Sequence, residues 1–504
     1  MNDPTVLIVG AGPTGLAAAL ELSRLGVDVR IVDRAGVPSA TSRALGIQAR
    51  TVELLRPRGV GDELLRLGNR ARATALYARG GKLAEIELHR MASDFNYVLL
   101  LDQSETERVM TEQLGRQGCK VERGVEVTAL HQHDDSVAVH LRTGQGRAEI
   151  VRPDYVIAAD GAHSVIRKAT GVAFEGRQLS HSYVLGDLSL TGEVPEDQLS
   201  IFLGRRGFLA VFPMGAGHFR FMATDPDGLT GDAAEPTLAG IQQLYDRTAA
   251  IPARLVELRW SSRFRINSRH AAHLRAGRVF LGGDAAHVHS PAGGQGMNAG
   301  IQDMVNLSWK LALVLAGRAR PELLDTYESD RLPVIRDLVT MTERATAAFN
   351  STSPLAHAAL TRLAPLVLRR IQVQRKAADR LGQLSAGYRG APLSADGGRI
   401  GDLRAGDRVP DAAVVTADGE HRRLHDLIDL AGPTLFVFAD DEHLHTGRSA
   451  AVTVRRLASA PTITGDPAAW LLVRPDGYLA AAGTATDADR LRRWVKRWLT
   501  PDPH

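Results

Sequence analysis

The sequence holds a single cysteine, Cys119, among 504 residues. One thiol excludes a disulfide framework and a thiolate metal cluster within the chain, and it fits a reducing compartment. No apolar stretch runs for the ~18 residues that a membrane-spanning helix needs. The opening MNDPTVLIVG lacks a basic region before its apolar run, so it reads as folded structure and not as a signal peptide. We therefore expect a cytoplasmic protein without membrane contact. Blocks of one charge are missing too. Lys and Arg number 61 against 57 Asp and Glu, a net charge of +4, and the arginines are dispersed along the chain. That distribution argues against a nucleic-acid partner and suits anionic small ligands such as phosphates. Internal repeats and low-complexity tracts are also absent.

What is present is ordinary globular composition, 44% hydrophobic and 23% charged, at a length that suggests roughly three domains. Residues 1–178 alternate strand and helix patterns. A short apolar strand at Val6–Val9 is followed by a helical pattern from Leu16 to Leu25, ended by Gly26, and then by a second strand from Val27 to Val32. This is a βαβ unit, which places the chain in the α/β class with a parallel sheet. Val125 to Leu130 and Val137 to Leu141 read as strands joined by an "HDD" turn. Over residues 179–267, short alternating stretches such as "GFLAVFPMG" and "GHFRFMATD" predict an inserted antiparallel sheet. Residues 268–385 return to strand, glycine loop and amphipathic helix. Residues 386–400, rich in Gly, Pro and Asp, read as a linker. Residues 401–504 read as a compact terminal unit.

The stretch "GAGPTG" supplies Gly10, Gly12 and Gly15, with Pro13 and Thr14 between them. In this motif the glycines give a tight turn, close backbone approach to a pyrophosphate, and close packing of helix on strand. The pyrophosphate sits on the helix N-terminus. Asp33 ends the second strand, where a carboxylate accepts from the hydroxyls of an adenosine ribose, and Arg34 follows it. A 2′-phosphate would be repelled at Asp33. The motif alone does not separate a nicotinamide from a flavin dinucleotide.

Two further strands end in Asp or Gly. "YVIAADGAHSVIRK" closes on Asp160 and Gly161, with Ser164 placed to cap a helix. "RVFLGGDAAHVHSPAGGQGMNAGIQD" runs from a strand through Asp284 and a glycine loop into a helix. Ligands of open α/β sheets bind at the carboxyl ends of strands, so three such ends address one extended ligand. His287 and His289 read as turn and packing residues and not as metal ligands, since no further ligand cluster accompanies them.

These three motifs, together with "YESDRLPVI" and the terminal unit, resemble the class A FAD-dependent aromatic hydroxylases, in the polyketide and phenol hydroxylase branch. The resemblance spans nearly the whole chain. It implies a Rossmann-like FAD-binding domain (1–178 and 268–385, the latter including a helical segment), an inserted substrate-binding sheet (179–267), and a thioredoxin-like C-terminal domain (401–504). That domain has no CxxC, so it cannot exchange thiols and serves as structure or interface. The implied cofactor is tightly bound, non-covalent FAD, with NADPH or NADH as transient reductant. Gly10, Gly12, Pro13, Thr14, Gly15, Asp33 and Arg34 would hold the ADP half, and Asp160 and Gly161 would support the pyrophosphate region. Asp284 would meet the ribityl chain, and the backbone of Gly294, Gly296, Met297 and Asn298 would face the pyrimidine edge. Pro291 would lie beside the reactive edge of the ring. Arg43 and Gln103 occupy positions where the family contacts flavin or its phosphates; with Pro291, Arg43 is the residue placed at the chemistry.

The implied reaction uses O2 through a C4a-hydroperoxyflavin to hydroxylate a phenolic or polycyclic aromatic substrate. Lining candidates are Phe202, Phe212, Phe219, Phe221, Trp260 and Arg263, for which alternating core positions of the sheet are the favoured alternative. Because every visible motif binds flavin and none demands its reduction, a non-redox cyclase or an intermediate-sequestering protein of the same fold stays open. A homodimer is neither required nor excluded.

Overall fold

The fold is that of a computed structural model, which describes residues 3–39, 44–78, 80–226, 228, 235–291, 293–394, 396–438, 449, 451–460, 463 and 469–500. The apolar run Val6–Val9 is buried because it is central in a six-stranded sheet. Tyr155–Ala158 and Val29–Asp33 flank it in parallel, Val279–Leu281 and Val121–Arg123 lie outside them, and the short Arg275–Ala276 strand closes one edge antiparallel. Both faces of such a sheet need cover. The helix Pro13–Arg24, buried along Gly15–Leu22, and the long helix Gly296–Leu315 belong to the same core as these strands.

A second, eight-stranded sheet stands beside the first and is mostly antiparallel. Its two longest strands, Phe174–Gly192 and Ala253–Ala271, pair along their length. The boundaries read at 178 and 267 therefore fall inside continuous strands. The sheet also recruits Ala73–Ala78 and Gly81–Glu87 from the segment assigned to the nucleotide-binding part. Their low alternation hid them, since Ala73–Ala78 is buried throughout. The helix Leu238–Thr248, capped by Thr237 accepting from Gly240 N at 3.2 Å, covers one face.

The terminal unit has its own six-stranded sheet and the closing helix Ala488–Trp498. Leu491, Trp494, Val495 and Trp498 face inward against Trp470 and against Trp309 and Leu313 of the long helix. The helix's basic residues lie on its other side, Arg492, Arg493, Lys496 and Arg497 being exposed. Residues 386–400 do not form a free linker. Tyr388 and Leu393 are buried, and the Gly-rich turns fold the segment onto the unit's last strand. Turn-forming composition marks where a chain bends, not whether it is solvated.

Among the described residues, no helix is long and apolar enough to cross a membrane, and no group of three or more His, Cys, Asp and Glu side chains is arranged to hold a metal ion.

Candidate functional site

The carboxyl ends of Val6–Val9, Tyr155–Ala158 and Val279–Leu281 are adjacent because the three strands are neighbours. At the first end the glycines divide the work. Gly10 has a φ of +103° and a Cβ there would overlap the carbonyl of Ala159; one on Gly15 would overlap the carbonyl of Gly10. Both are fixed by the protein's own packing. Gly12 differs: a Cβ there would meet nothing within 4 Å, and it is the N-cap of the Pro13–Arg24 helix. The open space in front of Gly12 meets a helix N-terminus, whose first N–H groups lack intrahelical partners. That is a cradle for a phosphate. Asp33 accepts from Ala11 N and Ala35 N, each at 2.7 Å, which fixes the carboxylate beside the turn. Arg34 is exposed.

Thr14 joins the first strand end to the third. Its side chain lies so close to Gly282, Gly283 and Gly300 that a Cβ on either of the last two would overlap its hydroxyl. At the second end, Asp160 Oδ2 accepts from Val165 N (2.7 Å) and Ile166 N (3.2 Å), heading the helix Val165–Ala169. Asp160 Oδ1 is buried and has no hydrogen-bond partner among the described residues. Gly161, with φ +83°, leaves open space. Ser164 caps as expected, accepting from Arg167 N at 2.9 Å. Arg167 then donates to Ala162 O (3.0 Å) and Ala285 O (2.7 Å), so it bridges the second and third ends.

At the third end Asp284 is exposed. The loop behind it hangs on Asp303, which neither motif nor spacing singled out. Asp303 accepts from Gly283 N (3.1 Å), His287 Nε2 (2.8 Å) and Arg331 Nε (2.7 Å). Burial alone would raise its carboxyl, but Arg331 and His287 outweigh burial and hold it below the usual carboxylate range. His287 is thus an internal hydrogen-bond partner. His289 donates from Nδ1 to Ser290 O at 2.8 Å, which leaves Nε2 as an acceptor, enclosed and unpartnered among the described residues. Burial and neighbouring His287 push it down to about 4, so it is neutral near pH 7.

Beyond Pro291, the Gly293–Asn298 segment turns into the long helix; Gly293 (φ +88°) and Gly294 (φ +62°) make that turn. A clamp that sequence reasoning missed holds it. Gln48 Nε2 donates to Gly293 O (2.8 Å) and Gln48 N donates to Asn298 Oδ1 (2.8 Å). Asn298 Nδ2 donates to Gly46 O (2.7 Å) and Gly294 O (2.9 Å). The Asn298 side chain is therefore spent on the protein, while the backbone N–H groups that open the helix stay available. Met297 is half-buried. Gln103, at the start of helix Gln103–Arg116, accepts from Ala44 N at 3.3 Å and donates to Glu107 at 2.8 Å. Arg43 lies outside the described residues.

The lining candidates separate by face. Phe202, Phe219 and Phe221 pack with Tyr77, Val184 and Tyr245 under the helix Leu238–Thr248. Arg263, opposite Val184 in the register, pairs with Asp225 at 3.2 Å on the same face. They sit on the helix-covered face because each strand sends successive side chains to opposite sides, which is the core arrangement the sequence favoured for them. Phe212 and Trp260 belong to the other face, with Tyr183, Phe208, Phe264 and Phe349. Phe212 also packs against the cluster that contains Leu45, Ala49 and Leu100, which places it toward the clamp. The same face carries Arg220, fully buried, which donates to both oxygens of Asp187 (2.6 Å each), to Asp102 (2.9 Å) and to Ala44 O (3.3 Å). Its burial inside an alternating strand gave no signal in the sequence.

The residues present fit an extended dinucleotide that ends in a flat ring. They offer an open phosphate cradle at Gly12, a buried acceptor at Asp160 without a partner among the described residues, an acid at Asp284, and a glycine-turned helix N-terminus at Gly296. Comparison with known proteins agrees. A family profile described as an FAD binding domain matches residues 3–342, and one described as the C-terminal part of aromatic-ring hydroxylases matches residues 402–501. The chain is 34% identical to 6-methylpretetramide 4-monooxygenase of Streptomyces rimosus, covering 97% of this chain and 93% of that one. The structure of an anhydrotetracycline hydroxylase from Streptomyces rimosus superposes with a TM-score of 0.82 at 30% identity, over 99% of this chain and 100% of that one. A Diels-Alderase of pyrroindomycin biosynthesis superposes with a TM-score of 0.78 at 28% identity, over 99% and 100%.

Proposed function

The chain belongs to the FAD-dependent aromatic-ring hydroxylases, and from that membership we propose how its own residues run the reaction. The adenosine and pyrophosphate lie along Asp33, Gly10–Gly15 and Asp160–Gly161, with Arg34 flanking. The ribityl chain meets Asp284, and the ring lies against Pro291 and the Gly294–Asn298 backbone, with Gln103 closing its side. When bound, FAD accepts a hydride from NADPH or NADH and activates O2, so that one oxygen atom enters an aromatic ring.

The chain's contribution is binding, orientation and exclusion of water. The helix N-terminus at Gly12 stabilises the pyrophosphate charge, and the N-terminus at Gly296 offers N–H groups and a positive dipole end to negative charge on the ring. The Gln48–Asn298 clamp keeps that second N-terminus in place. Asp303 keeps its proton donor, His287 Nε2–H, and the Gly283 amide aligned, which fixes the turn that carries Asp284. The substrate class is a phenolic or polycyclic aromatic compound. It lies on the face of the eight-stranded sheet that carries Phe212 and Trp260, where aromatic side chains supply a dry wall. The observation that carries this reading is the joining of three strand ends by Thr14 and Arg167 into one cleft.

A Diels-Alderase shares the fold, so the test must separate oxygen transfer from a non-redox cyclisation. Turnover under ¹⁸O2 with a panel of phenols, naphthoquinols and anthracyclinone-like polycycles tests the reading. Mass spectrometry should find one ¹⁸O atom in the product. A rearranged product without ¹⁸O supports the alternative.

A further inference from the structure

We propose that Arg408 of the C-terminal unit is a positioning residue for the flavin loop, acting through Glu53 and the short helix Ala49–Leu55 on Gln48. The inference rests on the FAD site proposed above. Arg408 touches no part of that site. Its Nε donates to Glu53 Oε2 at 2.8 Å, its second nitrogen pairs with Oε1, and it also reaches Ala92 O at 3.1 Å. Glu53 is buried, and although burial alone would raise its carboxyl, Arg408 and Arg50 bring it down to about 2. It is an anion under all working conditions and needs its cations.

The helix is held at a second point by the same unit. Arg50 donates to Glu53 at 2.9 Å, pairs with the carbonyl of Asp476, and stacks over Tyr478 at 4.9 Å. Arg58, just beyond the helix, reaches Pro475 O at 3.3 Å. The 474–478 turn and Arg408 therefore grip one side of Ala49–Leu55.

The other end of this helix is the flavin loop's clamp. Gln48 is its N-cap residue, and Gln48 makes the bonds to Gly293 O and Asn298 Oδ1 described above. A helix of seven residues is too short to hold its own geometry, so tertiary contacts decide where it lies. Those contacts include the C-terminal unit and, through Gln48, the flavin loop, beside Ser93 on Glu53, Gln302 on Thr51 and the apolar core around Val52, Leu54 and Leu55. Moving the first moves the second. The cysteine-free terminal unit thereby sets the height of the loop against which the ring lies.

A simpler role, in which Arg408 only fastens the terminal unit, makes a different prediction. Sites that share no partner contribute additively; sites joined through one rigid element do not. The test measures the FAD dissociation constant of the full-length apoprotein by flavin fluorescence quenching in wild type, Arg408→Met, Gln48→Ala and the double variant. The bound flavin's visible band is recorded for each. Arg408→Met should raise the constant about tenfold and blur the band's fine structure, and by a smaller factor once Gln48 is Ala, which removes the bond to Gly293 O and leaves the backbone bond to Asn298. Arg408→Lys keeps the charge and loses the two-pronged fit. It should show the same pattern at smaller size and serves if the Met variant does not fold. Equal effects in both Gln48 backgrounds, or no effect of either Arg408 variant, overturn the inference. Failure of the wild-type protein to bind FAD at all would instead overturn the site on which it rests.

Discussion

The glycines of the first turn should respond in opposite ways to one added methyl group. A Cβ on Gly12 meets nothing within 4 Å, and its φ of −76° and extended ψ are open to alanine. Replacing an N-cap glycine by alanine costs up to about 1 kcal/mol, and the stiffer unfolded chain returns roughly 0.4–1 kcal/mol. The Gly12→Ala apoprotein should therefore unfold within a degree or two of wild type. The methyl would fill the space assigned to the pyrophosphate and remove one backbone hydrogen bond to a charged oxygen, worth about 1.5–3 kcal/mol. FAD affinity should fall roughly 10- to 100-fold. At Gly15 the Cβ overlaps the Gly10 carbonyl, so strand and helix must separate, at about 1–3 kcal/mol or more. Gly15→Ala should lower the unfolding temperature of the apoprotein by several degrees, roughly. Differential scanning fluorimetry of the apoproteins and fluorescence titration with FAD separate the two effects. A Gly12→Ala protein that binds FAD like wild type would refute the placement of the pyrophosphate.

Three other outcomes are expected. His289 is held neutral down to about pH 4 against an ordinary 6.5. The unfolded chain therefore binds the extra proton first, and stability falls as pH drops from 6.5 to 4, by up to about 3 kcal/mol; His289→Gln should flatten that part of the stability–pH curve, and an unchanged slope would contradict it. Phe202→Ala should cost about 3–5 kcal/mol of stability with little effect on the KM of folded enzyme, whereas Phe212→Ala should raise KM for the aromatic substrate; steady-state kinetics with the pattern reversed would invert the two faces. Asp284→Ala should leave thermal stability of the apoprotein near wild type, because the residue is exposed, and should lower the flavin-to-protein ratio after gel filtration. Full retention counts against the ribityl contact.

Much of the candidate site was legible because its signals are local. Gly10, Gly12 and Gly15 fall within six residues in a spaced motif, and strand ends at Asp160 and Asp284 are marked by apolar runs that stop abruptly. The class of fold followed from the same alternation. The clamp was not legible, since Gln48 and Asn298 are 250 residues apart and each is an ordinary polar residue until the fold joins them. Nor were the buried ions. Glu53, Arg50, Arg408, Asp330, Lys310 and Arg474 look like surface charges in sequence, yet all are buried where the terminal unit meets the long helix and its neighbours. Alternation in the second sheet showed that two faces exist without saying which one meets a helix, so Phe202 and Phe221 could not be told from Phe212 and Trp260. The Gly-rich 386–400 segment was read as a linker, and its packing through Tyr388 and Leu393 against the terminal unit was missed.

The central claim is that FAD in this cleft is redox-active toward an aromatic substrate. Anaerobic mixing of the FAD-loaded protein with NADPH or NADH, with and without the aromatic panel, tests it by absorbance at the flavin band. The account predicts bleaching by at least one of the two nucleotides, accelerated by at least one aromatic compound. A flavin that stays oxidised at saturating concentrations of both nucleotides, whatever compound is present, would contradict it.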